Sequence, residues 1–256
     1  MTNKKILQIA LEQSAVDMNC QPEDFCRNEY VITESRASEA ARKYLPLPFA
    51  CDMVSYGSNI VATIDPQYRE IVEQYLSSYP VANAFETPHM HILDDAFAPY
   101  HMGVCFMAEY FLPDLDRLHK LPCAYTLKVL EPPAFRDLYT ECWSNALCEK
   151  RKHLDRLAVG AYDGDRLIGL AGCSADCDTM WQIGIDVLPE YRQQGVASAL
   201  TSRLALEILE RGRVPFYCSA WCNIKSARNA IRCGFKPAWV ELTIREKELI
   251  CEMNKV

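Results

Sequence analysis

Between Thr179 and Gly212 the recurrence of apolar residues changes once, from every second position to every third or fourth. Ile183, Ile185 and Val187 alternate with Gln182, Gly184 and Asp186, which predicts a strand. Pro189 cannot donate to a ladder and should end it. From Ala197 to Arg211 the apolar residues Ala197, Leu200, Leu204, Ile208 and Leu209 share one helical face, and Gly212 supplies the stop. Downstream, Phe216 to Trp221 reads as a strand, a helix follows from Asn223, and Phe235 to Thr243 reads as a strand before a short charged tail.

The same reading applied upstream predicts a helix over residues 4–16, a strand at 29–33 and a helix over 38–45 capped by Ser38. A hairpin is expected for 50–56 and 59–64 around Gly57-Ser58, then a helix from Asp65-Pro66 to about Ser77. A helix over 94–102 and a strand over 104–111 complete the first half. Leu112-Pro113-Asp114 to Leu121-Pro122 reads as a linker, dividing the chain into domains of residues 1–120 and 121–256. The second half opens with a strand over 124–130 and a helix from Pro132-Pro133 to about Cys148. Strands over 157–162 and 167–174 then pair around Asp163-Gly164. The fold class expected is α/β (α+β): a mixed central sheet flanked by helices, with an additional N-terminal α/β domain.

Half of the 256 residues are hydrophobic and 24% are charged, a globular balance. No apolar run reaches the roughly 20 residues of a membrane span, and Gln8, Glu12 and Gln13 follow where a signal peptide would have its apolar core, so a cytoplasmic protein is expected. The thirteen cysteines include no C-x-x-C pair, which favours reduced thiols over bridges or zinc. His89-Met90-His91 would put two rings on one side of an extended segment, but no cysteine or carboxylate stands at a zinc-ligand spacing beside them, and no metal is expected. Residues 1–120 carry 9 Lys+Arg against 17 Asp+Glu, and residues 121–256 carry 18 against 17. No basic stripe marks a nucleic-acid interface. An acidic half beside a near-neutral one suits a cationic substrate as well as a solvated surface.

The junction Arg192-Gln193-Gln194-Gly195-Val196-Ala197 sits between strand and helix. The first N–H groups of a helix have no partner within it and carry partial positive charge, and Gly195 and Ala197 let an anion approach them. Arg192 adds a permanent cation. The pattern is neither a P-loop nor a G-x-G-x-x-G dinucleotide fingerprint. It resembles the R/Q-x-x-G-x-G/A signature of the GNAT superfamily of acyl-CoA-dependent N-acyltransferases, including the Val187-Leu188-Pro189-Glu190-Tyr191-Arg192 lead-in. A second block, Asn223, Ser226, Ala230 and Gly234-Phe235, stands at the spacing that family shows. The resemblance covers about residues 124–245. The strand-strand-helix-helix-strand order of the first half is similar to the back half of such a domain, but carries no R-x-x-G-x-A, so a degenerate unit there would have lost its cofactor chemistry.

The resemblance implies acetyl-CoA as cosubstrate and direct attack of an amine on its thioester. Ile185, Asp186 and Val187 would line the pantetheine arm, Arg192, Gln193, Gln194, Gly195, Val196, Ala197 and Ser198 would take the pyrophosphate, and Asn223 would touch the pantetheine. The Tyr that many relatives use as proton donor falls at Ala230, and the Glu that some use as base falls at Trp181. Ser226, Asp176 and Asp186 are therefore the catalytic candidates, with a water chain, Glu86 or Glu109 as other bases. The family's usual last strand is missing, short or supplied from elsewhere. Three functions stay open: acetylation of a small amine, for which the acidic first half suggests a cationic acceptor; acylation of a protein or peptide amine; and a non-catalytic acyl-CoA-binding module. The N-terminal half is expected to form one wall of the acceptor slot.

Overall fold

The computed structural model describes residues 1–255, and its elements in chain order are as follows. Helix α1 spans Asn3–Asp17, β1 Val31–Glu34, β2 Cys51–Ser55 and β3 Val61–Ile64. Helices α2 (Arg69–Ser78), α3 (Val81–Ala84) and α4 (Thr87–Phe97) precede β4 (Met102–Pro113). Then come β5 (Thr126–Leu130), β6 (Asp155–Asp163), β7 (Arg166–Ser174), β8 (Met180–Val187), α5 (Val196–Glu210), β9 (Val214–Ala220), α6 (Ile224–Arg232), β10 (Phe235–Glu246) and α7 (Lys247–Met253). The mixed sheets flanked by helices are those of the expected α/β class. The described residues form two compact units, one of residues 1–9 with 110–237 and the other of residues 10–109 with 238–255.

In the first unit the strand order is β4-β9-β8-β7-β6-β5. Its strands β5 to β8 are antiparallel neighbours, and β8 and β9 run parallel. The strand beside β9 is thus β4, contributed from the N-terminal side of the unit, where Tyr110 stacks on Phe216 with centroids 6.4 Å apart. Helix α5 lays Val196, Leu200, Leu204 and Ile208 onto Val159, Ala171 and Ile183 of the sheet, all buried. Leu200, Leu204 and Ile208 belong to the 3.6-residue stripe read from the sequence, while Val196 is buried where Ala197 was expected and Leu209 is only half-buried.

The helix expected from Pro132 to about Cys148 does not form. The segment runs as 3-10 turns over Pro132–Leu138, Glu141–Trp143 and Glu149–Leu154. Its N–H groups find carboxylates of distant strands instead of the carbonyl four residues back. Asp186 of β8 accepts from the backbone N–H groups of Asn145 and Ala146, both at 2.9 Å, and from Asn145 Nδ2 at 2.7 Å. Asp155 of β6 accepts from Cys148 N and the Tyr139 hydroxyl, each at 3.0 Å. The backbone of 145–146 lies directly on the sheet, where a Cβ on Gly172 or Gly184 would overlap the carbonyl oxygens of Ala146 and Asn145. Only glycine allows that approach.

The second unit orders its strands β1-β3-β2-β10. The hairpin of β2 and β3 forms as expected, and Asp65 caps the turn that leads into α2, accepting from Gln67 N at 3.0 Å. Met53, Ala62, Leu242 and Ile244 pack on Val72, Leu76, Leu93 and Phe97. The helix expected over 38–45 is replaced by turns. There Arg42 N donates to Asp17 Oδ1 at 2.9 Å, the buried Arg42 guanidinium pairs with Asp17, and the Ala40 carbonyl accepts from Gln13 Nε2 at 3.0 Å. Bonds to α1 have taken the place of helical ones. The segment expected to hold His89 and His91 extended is helical in α4, with His89 against Tyr79 at 4.4 Å between ring centroids. Two residues apart on a helix, the two rings point to different sides. The parallel pair β1 and β3 is matched from Val31↔Val61 to Glu34↔Ile64, the full length of both strands.

Candidate active site

The parallel pair β8 and β9 behaves differently from β1 and β3. Its register runs from Met180↔Val214 to Ile183↔Tyr217 and goes no further among the described residues. On its other edge β8 stays paired with β7 as far as Val187, opposite Gly169. The backbone of Gly184 to Val187 therefore has a free edge on the β9 side, able to hydrogen-bond an extended chain as a strand would.

At the end of that edge the backbone turns through Pro189–Tyr191 into an extended Arg192, then through two left-handed residues, Gln193 (φ 63°) and Gly195 (φ 80°), before α5 begins at Val196. Gly195 takes this conformation without strain, and a Cβ added there would meet no protein atom within 4 Å. The Gly195 carbonyl opens the helix by accepting from Ala199 N at 3.0 Å, so the N–H groups ahead of Ala199 have no intrahelical acceptor. Arg192 Nε donates to the Val187 carbonyl at 3.0 Å, which fixes the guanidinium at the mouth.

A cavity of about 240 Å³ opens over this turn. Val187, Arg192, Gln193, Gly195, Val196, Ala197 and Ser198 line it, so seven of the residues singled out for cofactor binding come together. Across from them α6 contributes Lys225, Arg228, Asn229 and Arg232, and no carboxylate is in the lining. Ser198 Oγ donates to Asn229 Oδ1 at 2.9 Å and Asn229 Nδ2 to Thr201 Oγ1 at 3.0 Å, locking α6 to α5. The site fits a diphosphate: helix N–H groups, space above a glycine and an entirely cationic charged lining.

The other candidates stand apart from the cavity lining. Gln194 is turned aside, its amide bonded to the Glu190 carbonyl and the Tyr125 hydroxyl. Ile185 is half-buried on β8. Asp186 is committed to Asn145 and Ala146. Asn223 caps α6, accepting from Ser226 N at 3.2 Å. Asp176 is fully buried, with Arg151 Nε 3.6 Å from its carboxylate. Ser226, in the first turn of α6, shares a 2.8 Å hydrogen bond with the hydroxyl of Tyr217 on β9. Burial raises the Tyr217 pKa above the ordinary phenol value, so the hydroxyl keeps its proton.

Sequence reasoning passed over Tyr217, which reads as one more apolar residue of a strand, and the cations of α6. The latter carried a usable signal, because residues 225, 228 and 232 repeat at helical spacing.

The open strand edge of β8 thus leads to a cationic helix start. Residues 67–238, more than half of the chain, match the GNAT acetyltransferase family, and the chain belongs to that family. No curated protein matches it. Solved structures with a similar fold include a GNAT-family protein from Novosphingobium aromaticivorans DSM 12444 (19% identity, TM-score 0.41, covering 56% of this chain and 66% of that one). A GCN5-related N-acetyltransferase-like protein from Streptococcus suis 89/1591 is 19% identical, with TM-score 0.46 and coverage of 61% and 69%. A GCN5-related N-acetyltransferase from Kribbella flavida is 14% identical, with TM-score 0.47 and coverage of 59% and 62%. The chain thus spans about two thirds of the length of these structures. Among the described residues no helix is long and apolar enough to cross a membrane.

Proposed function

We propose that the protein is an acetyl-CoA-dependent N-acetyltransferase acting on a small primary amine. The observation that carries this is the junction of β8 and α5, where a free strand edge leads to a cationic, glycine-floored helix start. Acetyl-CoA supplies an activated thioester: the amine nitrogen bonds to its carbonyl carbon, the carbon–sulfur bond breaks, the nitrogen loses a proton and the sulfur gains one. Gly184 to Val187 are assigned to the pantetheine arm and Arg192 with the α5 start to the diphosphate, which holds the reacting carbonyl in place. Ser226 Oγ is the proposed proton donor to sulfur, recharged from the Tyr217 hydroxyl. Asp186 acts as a positioning residue, because its three hydrogen bonds hold 145–146 over the opening strand edge. The acidic balance of residues 1–120 supports a cationic acceptor.

A non-catalytic acyl-CoA-binding module is the second reading, favoured by Ala230 and Trp181 at positions where relatives carry catalytic groups. Mass spectrometry of polyamines, amino sugars, amino acids and basic peptides incubated with enzyme and acetyl-CoA separates the two. Acetylated small cationic amines support the transferase. Binding of acetyl-CoA without any acetylated product supports the module, and absence of binding removes both.

A further inference from the structure

The diphosphate accounts for the α5 start and Arg192, and three cations of the cavity are left over. Lys225, Arg228 and Arg232 stand three and four residues apart, on one stripe of α6, and line the cavity together. Like charges at that spacing disfavour a helix, and Lys225 in the first turn also opposes the helix dipole. Helix α6, Ile-Lys-Ser-Ala-Arg-Asn-Ala-Ile-Arg, holds no acidic residue to offset them. No ion pair joins any of the three to a carboxylate among the described residues. The stripe is nonetheless held rigidly, because Asn229, lying between Arg228 and Arg232, is bonded to both Ser198 and Thr201 of α5.

An arrangement that costs the helix stability, faces a cavity and is anchored to the diphosphate turn is built for an anion. We propose that Lys225, Arg228 and Arg232 receive a second phosphoryl group of the same ligand, the phosphate monoester on the ribose of CoA, and so select the 3′-phosphorylated carrier over dephospho-CoA. A monoester carries between one and two negative charges more than the bare ribose hydroxyl at neutral pH, and the guanidinium groups of Arg228 and Arg232 can take it bidentately. This rests on the acyl-CoA reading of the site and adds a specificity to it.

The test is isothermal titration of acetyl-CoA and acetyl-dephospho-CoA into the wild-type protein and into the triple variant Lys225→Gln/Arg228→Gln/Arg232→Gln. The wild type should bind acetyl-CoA more tightly by about tenfold or more, the worth of one well-made charged hydrogen-bonding group. That gap should narrow as salt is raised. The triple variant should lose the gap while keeping its affinity for acetyl-dephospho-CoA. Equal wild-type affinities, or a variant that weakens both ligands alike, would overturn the assignment and leave the acyl-CoA site standing. If neither ligand binds the wild type, the acyl-CoA reading itself fails. The wild-type comparison needs no variant, so a folding defect cannot obscure it.

Discussion

Gly184→Ala tests the packing that replaced the expected helix. The added Cβ would overlap the Asn145 carbonyl oxygen and lie 2.8 Å from the Asn145 carbonyl carbon and 3.4 Å from Ala146 Cα. Carbon atoms ordinarily meet at about 3.5–4.0 Å, so the backbone of 145–146 must lift by about 1 Å. Backbone cannot swing aside as a flexible side chain can, and overpacking of this kind costs about 1–3 kcal/mol. The lift also stretches the three hydrogen bonds that Asp186 accepts at 2.7–2.9 Å. They are partly exposed, so their loss adds about 1–2 kcal/mol. Urea unfolding at 25 °C should therefore show Gly184→Ala destabilised by about 2–5 kcal/mol, Asp186→Ala by about 2, and the double variant by clearly less than the sum. Gly164→Ala, whose Cβ meets nothing at a φ of +59°, is the control and should lose only about 1–2 kcal/mol. A Gly184→Ala protein within about 0.5 kcal/mol of wild type, or strict additivity with Asp186→Ala, would refute the close approach.

Three other outcomes follow from particular groups. Desolvation pushes the Asp155 carboxyl up to about 6 despite its bond from Tyr139. A carboxyl whose folded pKa is raised favours folding in its protonated form, so stability is lost as pH rises from about 4 through 6; after discounting for solvent screening, Asp155→Asn should gain on wild type by about 1 kcal/mol across that window, and a constant difference would contradict the cause. Arg42→Met leaves the buried Asp17 without its guanidinium partner and should cost about 3–5 kcal/mol in urea unfolding, whereas a loss below about 1 would mean the pair contributes little. Tyr217→Phe removes the hydroxyl bonded to Ser226 and should lower kcat by about 10²-fold with acetyl-CoA affinity unchanged; an unaltered kcat would end the proton-donor assignment.

The legible parts of this fold are those whose cause is local. The hairpin of β6 and β7 around Asp163-Gly164, the Asp65-Pro66 start leading into α2 and the whole of β8-turn-α5 follow from turn chemistry and period. Residues 132–148 and 38–45 depart from the helices expected of them because their backbone N–H groups bond to the side chains of Asp155, Asp186 and Asp17, which lie 7, 40 and 25 positions away and whose approach no local pattern announces. Glycine inside β7 and β8 was the one visible trace of that approach, since Gly172 and Gly184 sit in strand interiors where glycine weakens pairing. The neighbour of β9 was hidden for a similar reason: strand order is a long-range property, and β4 arrives from before the family's two signature blocks. At the site, the left-handed turn into α5 was readable because glycine and helix onset adjoin in sequence. The pairing of Tyr217 with Ser226 was not, because it joins a strand to a helix through side chains.

The turn at Gly195 bears the whole functional reading, and one titration examines it. Acetyl-CoA should bind the wild-type protein and raise its Tm, since a ligand of the native state alone stabilises it by mass action. In Gly195→Glu the new side chain projects from a position where no protein atom lies within 4 Å, so the fold should survive with about 1–2 kcal/mol of left-handed backbone strain. A carboxylate then stands beside the cavity's cations and the α5 start. Calorimetry should find no binding of acetyl-CoA to that variant, with its circular dichroism unchanged. Unchanged affinity in a folded Gly195→Glu protein would contradict the site, and with it the proposed transferase.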